Sequence, residues 1–203
     1  MKTITFYDTE TTGLPNWKVP SDDESQPHIV QLGVIVCNAE TREIIKEIDV
    51  IVKPDGWTIP DEVAEIHGIT TEIALEKGIP ETEAIKMLLD ECCGIGERVA
   101  HNRTFDQRII RIGLKRHGFS EEQMDMWADK DDHHDTMFLA KPIMKMEPKN
   151  RYGYKSPKLE EAYEYFTGEK LENAHSAIVD ARACMRVYWE IQDLGDENGQ
   201  KED

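Results

Sequence analysis

Two carboxylates lie one residue apart near the start of the chain, within the sequence YDTETTGL. The residues before them are apolar or β-branched, which favours an extended strand, and side chains two positions apart on a strand point to the same face. Asp8 and Glu10 are therefore expected to project side by side. Because two close negative charges repel, this pair calls for a cation, a basic partner or solvent.

Two later stretches place a carboxylate near a histidine. In AHNRTFDQR, Asp106 falls in the first turn of an expected helix, and in AHSAIVDAR, His175 precedes Asp180 at the start of the last long helix. Carboxylate oxygens suit Mg²⁺ or Mn²⁺, whereas zinc favours clusters of Cys or His that this chain lacks. Two such cations can stabilise both the attacking and the leaving oxygens of phosphodiester hydrolysis. The carboxylates therefore form a candidate cradle for divalent cations.

The elements that must position these residues follow from the hydrophobic pattern. The opening segment and β-branched runs at 29–37 and 43–52 predict a three-stranded antiparallel unit. A short strand is expected at 98–101. Apolar residues recur at helical spacing in the segments 85–92, 105–112, 159–166 and 177–191. Strands first, then strand and helix in alternation, indicate an α/β fold with a mixed sheet.

The length and composition indicate one domain. A chain of 203 residues that is 39% hydrophobic can bury one sizeable core, which we assign to residues 1–194. The stretch Asn16–His28 is rich in Pro, Ser and Asp and longer than a hairpin connection needs, so a mobile insertion is expected. Residues 195–203 are rich in Gly and acidic side chains and are expected to form a disordered tail.

The charge balance limits the partners. A net charge of −17 argues against a broad electrostatic contact with nucleic acid or an anionic membrane, but it leaves room for a short contact assisted by metal ions. Basic residues concentrate between Lys141 and Lys158, where Lys149, Arg151 and Lys155 could guide a strand or simply form a solvated loop. No apolar run approaches the roughly 20 residues that span a bilayer, and the N-terminus lacks a signal peptide, so we expect a cytoplasmic protein without membrane contact.

The motifs in this order resemble the DEDDh, or DnaQ-like, family of 3′ to 5′ exonucleases. The sequence IHGIT at 66–70, which occurs in many members of that family, lies between the first two motifs, and the match extends roughly from Thr3 to Ile191. The resemblance implies a ribonuclease H-like α/β fold, in which a mixed five-stranded sheet carries helices on both faces.

The resemblance also implies a role for each motif residue. Asp8, Glu10 and Asp180 would hold one of two divalent cations, Mg²⁺ or Mn²⁺, Asp8 would bridge to the second, and Asp106 would act largely through water. Because an imidazole can accept a proton near neutral pH, His175 would take the proton of the attacking water. The residues expected to contact the substrate are Thr11, Thr12, Leu14, His67, Asn102 and Phe105, with Lys149, Arg151 and Lys155 further along the strand.

The implied reaction releases nucleoside 5′-monophosphates from 3′ ends, with single-stranded DNA as the favoured substrate. RNA and short oligoribonucleotides stay open as the alternative, because the contact with the 2′-hydroxyl cannot be recognised in the sequence. A DNA polymerase or another replication protein is a candidate partner. An alternative of another class is a polymerase-associated binding subunit whose nuclease site is idle, although the presence of all the motif residues argues against it.

Overall fold

The computed structural model describes residues 1–92, 96–129, 131–151 and 153–199. Within these residues, five strands form one sheet in the order β3-β2-β1-β4-β5. The strands are β1 (Thr3–Thr11), β2 (Ile29–Asn38), β3 (Ile44–Ile51), β4 (Gly96–Ala100) and β5 (His133–Asp135). The first three strands pair antiparallel, and β4 and β5 are added in parallel to β1, so the predicted mixed five-stranded sheet is confirmed.

The helices follow the expected alternation with strands in the second part of the chain. They are α1 (Asp61–His67), α2 (Thr71–Lys77), α3 (Glu81–Cys92), α4 (Arg103–Arg116), α5 (Glu121–Ala128), α6 (Thr136–Met144), α7 (Leu159–Thr167) and α8 (Ala177–Gly199). Among the described residues, none of these helices combines the length and apolar character that crossing a bilayer requires.

The sheet carries helices on both faces, as predicted. Because successive side chains of a strand point to opposite sides, neighbouring aromatic residues of β1 enter different clusters. Phe6 packs edge-on against Tyr188 of α8, with ring centroids 5.5 Å apart. On the other face, Tyr7 packs edge-on against Trp127 of α5 at 5.6 Å, in the cluster that also contains Leu88 of α3. The strand that carries the first carboxylates is therefore fixed from both sides.

The start of α8 lies directly against the sheet because a glycine leaves room for it. Gly33 is the cross-strand partner of Asp8, and a Cβ added at Gly33 would lie 2.3 Å from the backbone carbon of Ala177. The side-chain oxygen of Gln31 accepts a hydrogen bond of 3.1 Å from the backbone N–H of Ala177. These two contacts place the first turn of α8, and with it Asp180, beside the end of β1.

Replacement of Gly33 by Ala should lower the free energy of unfolding by about 3 kcal/mol, the upper range for overpacking, because the obstacle is rigid backbone. The matched control is Gly195→Ala, since Gly195 lies in α8 with no atom within 4 Å of the added Cβ, and it should stabilise the protein by up to about 1 kcal/mol. Urea denaturation of both variants measures the difference. Equal stability of the two variants would show that α8 can move away from the sheet at little cost.

Two expectations about irregular segments differ from the structure. The segment Asn16–His28 is not a loose insertion, because the carboxamide of Gln26 is 2% exposed and bonds to its backbone, and Arg108 and Arg116 of α4 donate to its carbonyls. Composition alone predicts a mobile insertion, whereas the structure shows a segment that is hydrogen-bonded to itself and to α4. The last helix continues to Gly199, past the domain boundary predicted at 194, whereas residues 200–203 lie outside the described residues.

Candidate active site

The carboxyl ends of β1 and β4 meet at one edge of the sheet, where an open cavity has a volume of about 420 Å³. All the motif residues line this cavity, although they come from distant parts of the chain: Asp8, Glu10, Asp106, His175 and Asp180. One potential ligand atom from each of Glu10, His175 and Asp180 falls within 4.8 Å of the others. The fold therefore brings the sequence motifs together.

Asp106 is fixed by the strand that carries the other carboxylates. Its Oδ1 accepts hydrogen bonds from the backbone N–H of Thr9 at 3.0 Å and from the hydroxyl of Thr9 at 2.7 Å. Thr9 lies between Asp8 and Glu10, is 5% exposed and also lines the cavity. The strand thus binds Asp106 directly while Asp8 and Glu10 face the cavity.

The two oxygens of Asp180 have different surroundings. Oδ2 accepts a hydrogen bond of 3.1 Å from the backbone N–H of His175, whereas Oδ1 is buried without a hydrogen-bond partner in the part of the chain that the structure describes. His175 has φ of 70°, in the left-handed region that few side chains other than Asn, Asp and His adopt readily. The helix start therefore clamps the backbone of His175 and leaves its imidazole exposed at the cavity.

The site favours neutral carboxyl groups in the absence of a cation. Burial raises the pKa of Asp8 well above its ordinary value, and the charges of Asp106, Asp180 and Glu10 raise it further. Burial, followed by the charges of Asp180 and Asp106, raises the pKa of Glu10 to about 7. Burial raises the pKa of Asp106 to about 7 against the opposing hydrogen bonds from Thr9, and that of Asp180 to about 6. Burial and mutual repulsion therefore oppose the ionisation of these carboxyls, and a bound cation would counter both effects.

The donor set fits a divalent cation. An unpartnered buried carboxylate oxygen costs free energy unless a cation or hydrogen bond satisfies it, and Asp180 Oδ1 is such an atom. Carboxylate oxygens are the ligands that Mg²⁺ and Mn²⁺ prefer. The same cation would relieve the repulsion that raises the carboxyl pKa values. The carboxylates predicted as metal ligands are thus chemically suited to hold a divalent cation.

In excess chelator, the protein should become less stable as the pH rises. Because folding raises the pKa values of these carboxyls, their protonation stabilises the folded state. This stabilisation is complete below the ordinary pKa values of 3.8 for Asp and 4.5 for Glu, and it is lost as the pH passes about 6 to 7. Thermal unfolding followed from acid to mildly alkaline pH should show a falling melting temperature, which added Mn²⁺ restores because it binds the folded state.

The variant Asp106→Asn separates charge from hydrogen bonding, since the amide oxygen of Asn can still accept from Thr9. In chelator at about pH 8, this variant should melt at a higher temperature than the wild type, and the difference should shrink at acid pH. Thr9→Val is the complementary control, because it removes one donor to Asp106 and leaves all the charges in place. A chelated wild type whose melting temperature does not change with pH would contradict this account.

The structure places the predicted substrate residues in two groups. Leu14, Asn102 and Phe105 line the cavity. The others are not among its lining residues: Thr11, Thr12, His67, Lys149, Arg151 and Lys155. The pKa of His67 is lowered by burial and, to a smaller extent, by the charge of His175.

The two threonines hold the turn that carries Leu14. The hydroxyl of Thr11 donates to the Gly13 carbonyl at 2.8 Å, and the hydroxyl oxygen of Thr12 accepts from the backbone N–H of His28 at 2.9 Å. In the basic segment, Lys155 forms an ion pair with Glu161. Thr11 and Thr12 therefore stabilise the turn beside the cavity and are not among the residues that line it.

Lys158, His101 and Asp135 line or support the site, but the sequence does not predict a role for them. Lys158 lines the cavity, and the ring of His101 connects Thr136 Oγ1, at 2.9 Å, to the Pro157 carbonyl, at 3.1 Å. Asp135 Oδ1 accepts from the backbone N–H of Asn102 at 3.0 Å. His101 stands in the AHN motif, so its position was a usable signal, whereas the contact with Pro157 joins segments 56 residues apart.

A family model described as exonuclease, RNase T, matches residues 5–188. The chain belongs to this exonuclease family. The family lies in the DEDD superfamily, so the resemblance drawn from the motifs is confirmed. The DNA polymerase III PolC-type proteins of Thermotoga petrophila and Thermotoga maritima are each 30% identical to this exonuclease over 190 residues, covering 92% of this chain and 12% of the polymerase.

Solved structures show the same fold. Exonuclease I of E. coli in complex with a dT13 oligonucleotide superimposes with a TM-score of 0.74 at 21% identity, covering 97% of this exonuclease and 43% of that chain. A moderately thermophilic Exonuclease I from Methylocaldum szegediense gives a TM-score of 0.70 at 23% identity, covering 95% of this exonuclease and 41% of that chain. This exonuclease thus spans less than half of the Exonuclease I chains and a small part of the polymerases.

Proposed function

We propose that the chain is a metal-dependent 3′ to 5′ exonuclease that releases nucleoside 5′-monophosphates from the 3′ ends of single-stranded DNA. The observation that carries the proposal is the convergence of four carboxylates and one histidine on a single open cavity. Membership of the exonuclease family supports phosphodiester hydrolysis as the reaction. The direction of degradation, the ions and the substrate are parts of the proposal.

Asp8, Glu10 and Asp180 would hold a cation, and Asp8 would face a second one together with Asp106. When bound, two divalent cations supply charge stabilisation for the attacking and leaving oxygens of the phosphodiester. Thr9 would keep Asp106 in position through its two hydrogen bonds. Mg²⁺ and Mn²⁺ are the ions that we propose, because the donors are mainly carboxylate oxygens.

We assign to His175 the role of general base. Its imidazole is exposed at the cavity, while Asp180 holds its backbone through the bond to Oδ2. Because the backbone of His175 is held and its imidazole is exposed, the imidazole can reach a water molecule beside the phosphate and accept its proton. The clamp from Asp180 also links the position of this base to the carboxylates that would hold the cation.

A contact with a terminal nucleotide is supported by Leu14, which lines the cavity and is 84% exposed. An apolar side chain held outward at such a site can pack against the apolar face of a base. We propose that Leu14 and Phe105 contact the terminal nucleotide and that Asn102 contacts its backbone. Thr11 and Thr12 act by holding the turn before Leu14.

DNA is favoured over RNA by the relatives, because one is a DNA polymerase and another is an exonuclease solved with a dT13 oligonucleotide. The polymerase relatives also make a replicative DNA polymerase the partner that we propose. Degradation of RNA or short oligoribonucleotides is the second candidate, since the same carboxylates would act on it. An idle binding subunit is disfavoured because all the residues that the reaction needs line the cavity.

Digestion of matched DNA and RNA oligomers tests the proposal. With Mn²⁺ present, a single strand labelled at its 5′ end should shorten through a ladder of intermediates, and covalently closed circular DNA of the same sequence should stay intact. We expect DNA to be degraded faster than RNA. Release of the 5′ label as the first product would reverse the direction, faster loss of RNA would favour the second candidate, and no hydrolysis of either would favour the idle subunit.

A further inference from the structure

A large aromatic side chain stands on the surface three residues after Leu14, which lines the cavity. Trp17 belongs to the segment Asn16–His28 and is 58% exposed. The guanidinium of Arg108 lies over its ring at 5.6 Å from the centroid. Exposing so much apolar area is unfavourable in water, and such residues often mark binding surfaces.

The segment holds Trp17 in a fixed position. The carboxamide of Gln26 accepts from the backbone N–H of Asn16 at 3.0 Å and donates to the carbonyls of Asn16 and Pro20 at 2.9 Å each. Arg108 donates to the carbonyl of Val19 at 2.7 Å. The backbone is therefore bonded on both sides of Trp17, so the exposed ring is not the tip of a loose loop.

Trp17 is connected to the active site along two routes. It follows Leu14 by three residues, which limits their Cα separation to about 11 Å, and Leu14 lines the cavity. On α4, Arg108 lies three residues after Phe105, so the two share one face of the helix, about one turn apart. Phe105 also lines the cavity. The backbone of Trp17 therefore lies within about 11 Å of the cavity-lining residue Leu14, and its ring contacts a residue one helical turn from Phe105, which also lines the cavity.

We propose that Trp17 stacks against a base of the single strand being degraded, upstream of the 3′-terminal nucleotide. The inference rests on the proposed function and adds a substrate contact to it. Every base offers a π-face, so stacking suits an enzyme that must accept any sequence. The net charge of −17 disfavours long-range electrostatic attraction of the upstream strand. Stacking of a base on Trp17 does not require such attraction. Arg108 supports the ring from its other side.

The test measures how each substitution changes the hydrolysis of a long strand relative to that of a short one. Trp17→Ala, Trp17→Phe and the control Tyr165→Ala are assayed with Mn²⁺ on a thymidine decanucleotide and on a thymidine dinucleotide. Tyr165 is a suitable control because it is an aromatic residue with a similar exposure, 55%, and lies in α7 outside the cavity lining. The quantity measured is the ratio of kcat/KM for the longer strand to kcat/KM for the dinucleotide.

We expect Trp17→Ala to lower this ratio about 5- to 100-fold, mainly through a higher KM for the longer strand. Trp17→Phe should recover part of the loss, and Tyr165→Ala should keep the wild-type ratio. An unchanged ratio in Trp17→Ala, or an equal loss on both strands, would overturn the proposal, and thermal melting checks that each variant is folded. If Trp17→Ala fails to fold, the ratio in Trp17→Phe decides. A wild type that degrades neither strand would instead refute the proposed function.

Discussion

Asp8→Asn should abolish hydrolysis and the thermal stabilisation by Mn²⁺ together. Burial raises the pKa of Asp8 most, and the charges of the other three carboxyls raise it further. Asp8 therefore lies where several carboxylates would attract a cation. Loss of one cation ligand removes several kcal/mol of transition-state stabilisation, which corresponds to a fall in kcat of about 10³-fold or more. Single-turnover digestion measures the rate, and melting curves with and without Mn²⁺ measure the binding.

The matched control for Asp8→Asn is Asp90→Asn. Asp90 is an exposed residue of α3 outside the cavity lining, so its substitution makes the same change in net charge without touching the site. In chelator, Asp8→Asn should also melt at a higher temperature than the wild type once the pH is high enough to ionise Asp8, because burial and the neighbouring charges make that ionisation unfavourable in the folded protein. A variant that loses turnover but keeps the full Mn²⁺ stabilisation would show that Asp8 is not a metal ligand.

The sequence alone predicts the position of a residue in the fold where a motif lies on a regular strand or helix. The alternation in β1 predicted that Asp8 and Glu10 share a face, and the parallel pairing of β1 with β4 brings Asp106 to the same edge. The helical stripe in 177–191 predicted α8 and therefore the position of Asp180 relative to His175. These features follow from local periodicity, which a single sequence displays directly.

The sequence was insufficient where one side chain binds a distant backbone. Gln26 lies in a segment whose content of Pro, Ser and Asp indicates a polar loop, yet its side chain is buried and bonds to the backbone of that segment. The contact of His101 with Pro157 joins the residue after β4 to the segment before α7. Such hydrogen bonds have no periodicity and no fixed spacing, so composition cannot distinguish a pinned segment from a loose one. The distinction matters for the proposed substrate contact, because this segment carries Trp17.

His175→Asn should lower kcat by about 10²- to 10⁴-fold, the usual contribution of a positioned general base. Asn is the suitable replacement because the backbone of His175 has φ of 70°, and Asn tolerates this left-handed conformation better than Ala does. The variant therefore removes the imidazole while keeping the backbone N–H that Asp180 binds. Comparison with His175→Ala measures how much of any loss comes from backbone strain.

Calorimetric titration with Mn²⁺ distinguishes a base from a ligand at this position. The ligand atoms of Glu10, His175 and Asp180 lie within 4.8 Å of one another, so the geometry alone would allow the imidazole to bind the cation. If His175 is the base, His175→Asn binds Mn²⁺ with nearly wild-type affinity while its turnover falls, whereas Asp8→Asn loses both. A loss of affinity in His175→Asn equal to that in Asp8→Asn would assign the histidine to the cation, and the proton would then need another acceptor.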